Sequence, residues 1–273
     1  MFVGSLLSTS LCAVAILLSG VAGLSLPRAQ QTTMSSAPDD LKRGLELYKQ
    51  GDDEGAIEAL RRATDRNKNE VGAWYGLALC YTRQDKLSDA RRAYEKAAIS
   101  GEWLIEQFYS ANSITEIPVE AERYKTLLLM AAESAKKYLE LSGKLSRPRS
   151  EEWNARLEML RDYAEFSGEN SNASSAFRIY KPDELESRAR IIGRVEPGYT
   201  REALDAKVTG TVVLRAIFAF DGRVRGVKVI KGLPNGLTLA AINAARRIRF
   251  IPATVGGKPV SQYVQIEYNF DMH

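Results

Sequence analysis

Catalysis by an imidazole needs a histidine held inside a fold, and the 273-residue chain has one histidine, His273, at its last position. A Ser-His-Asp or Cys-His centre is therefore not expected. Only two cysteines occur, Cys12 and Cys80, and the first lies in a hydrophobic leader. Cys/His zinc sites need three or four soft ligands, so no metal is expected, and no cofactor. If the leader is removed, Cys80 stands alone and cannot form an intrachain disulfide. These counts argue against an enzyme. What remains is recognition chemistry, and the most regular pattern for it lies near the end of the sequence. Val260, Val264, Ile266, Tyr268 and Phe270 alternate with Ser261, Gln265, Glu267 and Asn269, a long period-2 strand. A late strand of this kind is expected at a sheet edge, where unpaired N–H and C=O groups can take an extended peptide as an added strand.

Charge separates the chain into two parts. The net charge is +4 overall, but residues 183–273 carry 14 Lys+Arg against 9 Asp+Glu, while residues 1–182 are nearly balanced. A basic domain can bind nucleic acid, yet no stacking-aromatic motif or recognition-helix pattern accompanies the excess, and a mildly basic surface is the reading adopted.

No charged side chain occurs from Met1 to Pro27, and Leu11–Leu18 is an apolar run followed by small residues. Residues 1–28 read either as a cleaved signal peptide or as a retained membrane anchor. Both place the rest of the chain across a membrane, the first reading free of it and the second tethered to it. Residues 29–37 read as a polar linker.

From Pro38 the pattern turns helical, and it repeats. Trp74, Leu77, Ala78, Tyr81, Ala90, Tyr94 and Ala97 are spaced as W-x2-L-A-x2-Y with small and aromatic residues following. Gly44, Leu47, Ala56, Leu60 and Ala63 fall at the same positions 34 residues earlier. This offset resembles the tetratricopeptide repeat, in which small residues let two helices approach closely. Two repeats do not close a core, so helices within 119–166 are expected to complete the stack. They carry Tyr124, Leu128, Ala131 and Tyr138, then Trp153, Leu157, Leu160 and Tyr163. The aromatic residues read as packing positions, and Cys80 as a buried thiol. The all-α domain is assigned to residues 38–166 and a flexible linker to 167–182, rich in Ser, Asn and Gly.

Beyond Arg190 the period changes from 3.6 to 2. Val212, Leu214, Ala216 and Phe218 share one strand face, Asp221-Gly222 forms a hairpin turn, and the return strand slips parity around Gly226, which predicts a bulge. A helix follows with Leu237, Ala241, Ala244, Ala245 and Ile248 on its apolar stripe, and the long strand comes last. Residues 183–273 are thus expected to form a small α+β domain, an antiparallel sheet packed by two helices.

Several ordered positions here carry a family resemblance: Pro197-Gly198-Tyr199-Thr200-x-x-Ala203, Gly210-Thr211-Val212-Val213, Asp221-Gly222-x-Val224, Ala244-x-x-x-Ile248-x-Phe250-x-Pro252-Ala253 and Tyr268-Asn269-Phe270. Together they resemble the TonB C-terminal domain. The resemblance implies a periplasmic module that contacts the plug of outer-membrane transporters and binds their short N-terminal peptide by strand addition, driven by a proton-channel motor complex. It points to Pro197 and Tyr199 as contact residues. The last strand contributes Val260, Val264, Gln265, Ile266, Glu267, Tyr268 and Asn269. Glu196 and Thr200 stand where the family carries Gln and Pro. The chain also lacks the family's long Pro-rich spacer, and residues 1–28 lack the anchor histidine that couples to the motor. Two functions stay open: an energy transducer with repeats in place of the spacer, or a passive periplasmic adaptor whose helical domain holds an unknown protein partner.

Overall fold

The computed structural model describes residues 38–111, 118–145, 150–167 and 178–272. The leader, the linker at 29–37, the loop at 112–117 and most of the linker at 167–182 lie outside the described residues. The described chain groups into two compact units whose boundary falls between Leu160 and Arg161.

The first unit is helical. Its elements are α1 (Pro38–Gln50), α2 (Asp53–Arg66), α3 (Val71–Arg83), α4 (Leu87–Ala111), α5 (Pro118–Lys144) and the first part of α6 (Ser150–Ser167). The 34-residue repeat seen in the sequence recurs as geometry. Gly51 ends α1 in the left-handed region at φ 87°, and Asp85, 34 positions on, does the same after α3 at φ 56°. Asp52 then caps α2, its Oδ1 accepting from the Gly55 N–H at 2.9 Å. Close packing explains the small residues. A Cβ on Gly44 would lie 2.6 Å from the Leu60 side chain, and one on Gly76 would lie 3.0 Å from it. Leu60 is fully buried between these two glycines. Arg83 joins the first three helices: its guanidinium pairs with Asp53, donates to the Tyr48 carbonyl at 3.0 Å and stacks 4.0 Å over the Tyr48 ring. Further along, Tyr138 of α5 stacks on Trp153 of α6 at 3.9 Å, and Arg156 pairs with Glu102 of α4 at 2.6 Å. The aromatic residues are therefore mostly core. Burial pushes the Cys80 thiol up to about 12, so it stays protonated and inert at neutral pH.

The second unit contains β1 (Ile179–Tyr180), β2 (Arg190–Gly193), α7 (Arg201–Asp205), β3 (Gly210–Phe218), β4 (Val224–Lys231), α8 (Leu237–Ala245), β5 (Arg249–Ile251), β6 (Ala253–Val255) and β7 (Lys258–Phe270). The main sheet runs β1-β7-β3-β4, with β6 added against β7; β2 and β5 make a separate two-stranded ribbon. Val212, Leu214, Ala216 and Phe218 of β3 are buried, as are Leu237, Ala241, Ala244 and Ala245 of α8. The Asp221-Gly222 turn forms with Gly222 at φ 79°. The slip around Gly226 is a real bulge: Arg215 pairs with Lys228, but Ile217 pairs with Arg225.

Two features depart from the sequence reading. Four strands were not anticipated (β1, β2, β5 and β6), because each is two to four residues long and too short to show a period. One of them, β1, joins β7 in parallel, so the sheet is not purely antiparallel. The second departure concerns the end of α6, which groups with the second unit. Tyr163 is fully buried there, and burial raises its phenol above the ordinary value, with Arg215 and Tyr263 of the sheet opposing the shift. Asp162 Oδ2 accepts the Gly226 N–H at 2.8 Å, and Glu165 pairs with Arg225 at 2.7 Å. A Cβ on Gly226 would fall 2.8 Å from Ile217 and 3.1 Å from the Tyr163 ring, so the bulge needs glycine both for its φ of 53° and for this approach.

The packing of Tyr163 yields a test. Tyr163→Ala should lower the stability of the second unit by about 3–5 kcal/mol, the usual cost of deleting a buried aromatic ring. Hydrogen exchange across β3 and β4 reads this directly. Unchanged protection in those strands would mean that the end of α6 is not part of this core.

Candidate functional site

Along 262–270, β7 pairs with β3 in unbroken register, from Phe218 opposite Gln262 to Gly210 opposite Phe270. On the side away from β3, Ser261 and Gln262 pair with β1, and residues 258–260, beyond the end of β3, pair with β6. From Tyr263 to Phe270 no strand covers that side among the described residues.

This corrects one expectation. Val260 is not on an open edge: it pairs with Ala253 and is buried with Tyr180 in a small cluster flanked by Leu185, Ala189 and Val255. The Gly256-Gly257 dipeptide, both residues at positive φ, turns β6 back onto β7 in a hairpin. The open stretch is therefore shorter, 263–270.

Burial follows the alternation. Ile266 and Tyr268 are buried and Val264 is half-buried, while Gln265, Glu267 and Asn269 are exposed. Backbone direction follows the same parity, because both polar groups of a residue in an antiparallel strand point to one side. The Glu267 carbonyl accepts from Arg194 and so faces away from β3. Thr211 Oγ1 donates to Asn269 Oδ1 at 2.6 Å, the side-chain contact expected of a close, non-hydrogen-bonded pair. The odd-numbered residues 265, 267 and 269 thus turn their N–H and C=O groups to the open side.

Arg194 closes this edge at one point. It follows β2, and besides its bond to the Glu267 carbonyl it pairs with Glu196 at 3.0 Å and lies 4.4 Å from the centre of the Tyr268 ring. Beneath it, burial raises the Tyr268 phenol above its ordinary value, with Arg194 opposing the shift. The Tyr268 hydroxyl finds no hydrogen-bond partner among the described residues. Sequence reasoning missed Arg194. Its signal, one arginine among many in the stretch 188–201, cannot be told from an ordinary solvated charge.

Tyr199 sits beside the same strand. Its ring meets Phe270 edge-on at 5.3 Å and its hydroxyl donates to the Val208 carbonyl at 3.2 Å. Pro197 is half-buried next to it. Thr200 caps α7, its Oγ1 accepting from the Ala203 N–H at 3.2 Å and donating to the Asn235 carbonyl. The segment 197–200 is thereby pinned to the end of β7. No group of three or more His, Cys, Asp or Glu positioned to hold a metal occurs among the described residues.

Residues 195–272 match the family model described as Gram-negative bacterial TonB protein C-terminal, and residues 41–102 match a tetratricopeptide repeat model. A TPR repeat-containing protein of Methanocaldococcus jannaschii is 42% identical over 55 residues, 20% of this chain and 10% of that protein. The chain thus spans about a tenth of that relative's length, and the likeness concerns repeats alone. The chain joins tetratricopeptide repeats to a domain of the TonB C-terminal type, both of them protein-interaction folds. The TonB match begins one residue after Arg194, so neither the ribbon strand β2 nor the arginine cap lies within it.

The parity of β7 is directly measurable. Amide exchange in the full chain should be fast at Gln265, Glu267 and Asn269 and slow at Val264, Ile266 and Tyr268, because only the second set is bonded to β3. Equal protection at both sets would show that the outer side is covered.

Proposed function

We propose that the second unit receives an extended peptide from an outer-membrane transporter along the outer side of residues 263–269. The single observation supporting this reading is a run of outward backbone groups on a strand whose other side is fully paired. Strand addition draws its affinity from the main chain and its selectivity from neighbouring side chains. Gln265, Glu267 and Asn269 would flank the incoming strand. Ile266 and Tyr268 hold the register from below, and Pro197 and Tyr199 border the end near Phe270. Arg194 acts as a removable cap: displacing its guanidinium exposes the Glu267 carbonyl and the face of Tyr268 together.

In this reading the protein works in the periplasm. Residues 1–28 tether it to the inner membrane, where a proton-channel motor complex supplies force for uptake. The tetratricopeptide helices hold a second protein in place of a Pro-rich spacer. The passive-adaptor alternative differs in one respect, the absence of a tether. Mass spectrometry of the native N-terminus separates the two, since an intact 1–28 segment fits transduction and a cleaved one fits the adaptor.

The docking edge is tested by titrating the full chain with a synthetic peptide from the N-terminal plug segment of an outer-membrane transporter of the same bacterium. Gln265→Pro removes an outward N–H without touching the β3 ladder, so the variant should fold by circular dichroism and bind at least about tenfold more weakly, a loss of about 1.4 kcal/mol. Arg194→Ala should bind more tightly than wild type, because the peptide no longer displaces the cap. Full binding by a folded proline variant would move the site to the Pro197–Tyr199 segment.

A further inference from the structure

The ribbon formed by β2 and β5 carries a second surface that peptide docking does not use. Its strands read Arg-Ile-Ile-Gly and Arg-Phe-Ile, with no acidic residue in either. Arg190 pairs with Ile251, Ile191 with Phe250 and Gly193 with Arg249. Residues paired across an antiparallel ladder project to the same side. Phe250 is buried and stacked on Phe218 at 4.1 Å, so Arg190, Ile251 and Arg249 turn the other way, to solvent. Ile192, at the register shift between Ile191 and Gly193, is 54% exposed, and Ile251 is 46% exposed.

The ribbon thus exposes two arginines and Ile251 on its outer face and Ile192 at the bulge. Arg249 lies across Gly193: its Nε is 2.9 Å from where a Cβ would sit, so only glycine lets the guanidinium lie there. Arg188 and Arg247 are exposed on the flanks. Arg188, Arg190 and Arg249 have no ion-pair partner among the described residues. The adjacent acidic groups are engaged elsewhere: Glu186 accepts from the Gly257 N–H at 2.9 Å, and Glu196 pairs with Arg194.

We infer that this face binds an anionic phospholipid surface. Guanidinium groups match headgroup phosphates, and exposed isoleucines between them can enter the boundary between headgroups and acyl chains. A soluble polyanion would use the arginines and leave the isoleucines in water. A nucleic acid would need stacking aromatics, and the one aromatic of the ribbon, Phe250, is buried. The inference is independent of the peptide edge, since none of the four outer residues belongs to β7 or caps it.

The test is co-sedimentation of the full chain with vesicles of phosphatidylcholine alone and of phosphatidylcholine mixed with phosphatidylglycerol. Segment 1–28 is the same in every sample, so differences between variants report the ribbon. Wild type should prefer the anionic vesicles. Arg190→Gln with Arg249→Gln should weaken that binding about 25-fold, roughly fivefold per arginine removed from the surface. Ile192→Ser with Ile251→Ser should weaken it by about tenfold or more. Circular dichroism establishes that both double variants remain folded, as expected for exposed positions. Equal binding to both vesicle types would overturn the inference, as would wild-type binding by the arginine pair variant. Wild-type binding by the isoleucine pair variant would also overturn it and assign the face to a soluble polyanion.

Discussion

The second unit depends on one strand being shared. β7 is 13 residues long, and among the described residues it is the only strand that pairs with β1, β3 and β6. Its first five residues pair with β6 and β1, and its last nine with β3. Only Gln262 pairs on both sides with β1 and β3. The handover leaves one side of Tyr263 to Phe270 without a strand among the described residues, while buried Ile266, Tyr268 and Phe270 keep the strand from slipping. A one-residue slip would turn all three outward and bring Glu267 into the core, so register and openness are secured by the same residues.

Much of this was legible in the sequence because long periodic segments announce themselves. The 34-residue offset located the first four helices. The period-2 runs located β3 and β7, and the parity slip at Gly226 located the bulge. Short elements were not legible. β5 and β6 are three residues each, and the Pro252 between them reads as a stop signal rather than as a joint between strands. The covering of Val260 was missed for that reason, since it depends on β6 and β1. The role of Tyr163 was half legible: its spacing marked it as a packing residue, but no one-dimensional pattern tells which core receives it. Arg194 was illegible, because its partner is a carbonyl 73 positions away.

The site residues divide by what their chemistry requires. Tyr199 and Thr200 are held by Phe270, Val208 and Asn235, which makes them fixtures at the end of the strand rather than free contact groups. Thr200 also accounts for the departure from the family's second proline. A threonine before α7 supplies the side-chain oxygen that the Ala203 N–H requires, a role proline cannot fill. The change thus keeps the helix start while altering the surface around Tyr199.

An open edge is a hazard in any sheet, and the three exposed stretches of this one are handled differently. The outer side of β4 is broken by the Gly226 bulge, whose N–H is taken by Asp162, and it carries Lys228 and Lys231. Those features are built into the backbone and the core, so they cannot be withdrawn without disturbing the α6 contact. The first part of β7 is sealed by two short strands and a buried cluster, which also resist removal. The remaining stretch is closed at one carbonyl, by one side chain that keeps solvent contact and has Glu196 as an alternative partner. Exposed pairs of this kind contribute about 0–1 kcal/mol, far less than the several main-chain bonds an added strand can form. Of the three forms of protection, only the arginine can be displaced by a peptide at small cost, and that asymmetry favours the proposed docking along 263–269 over docking along β4.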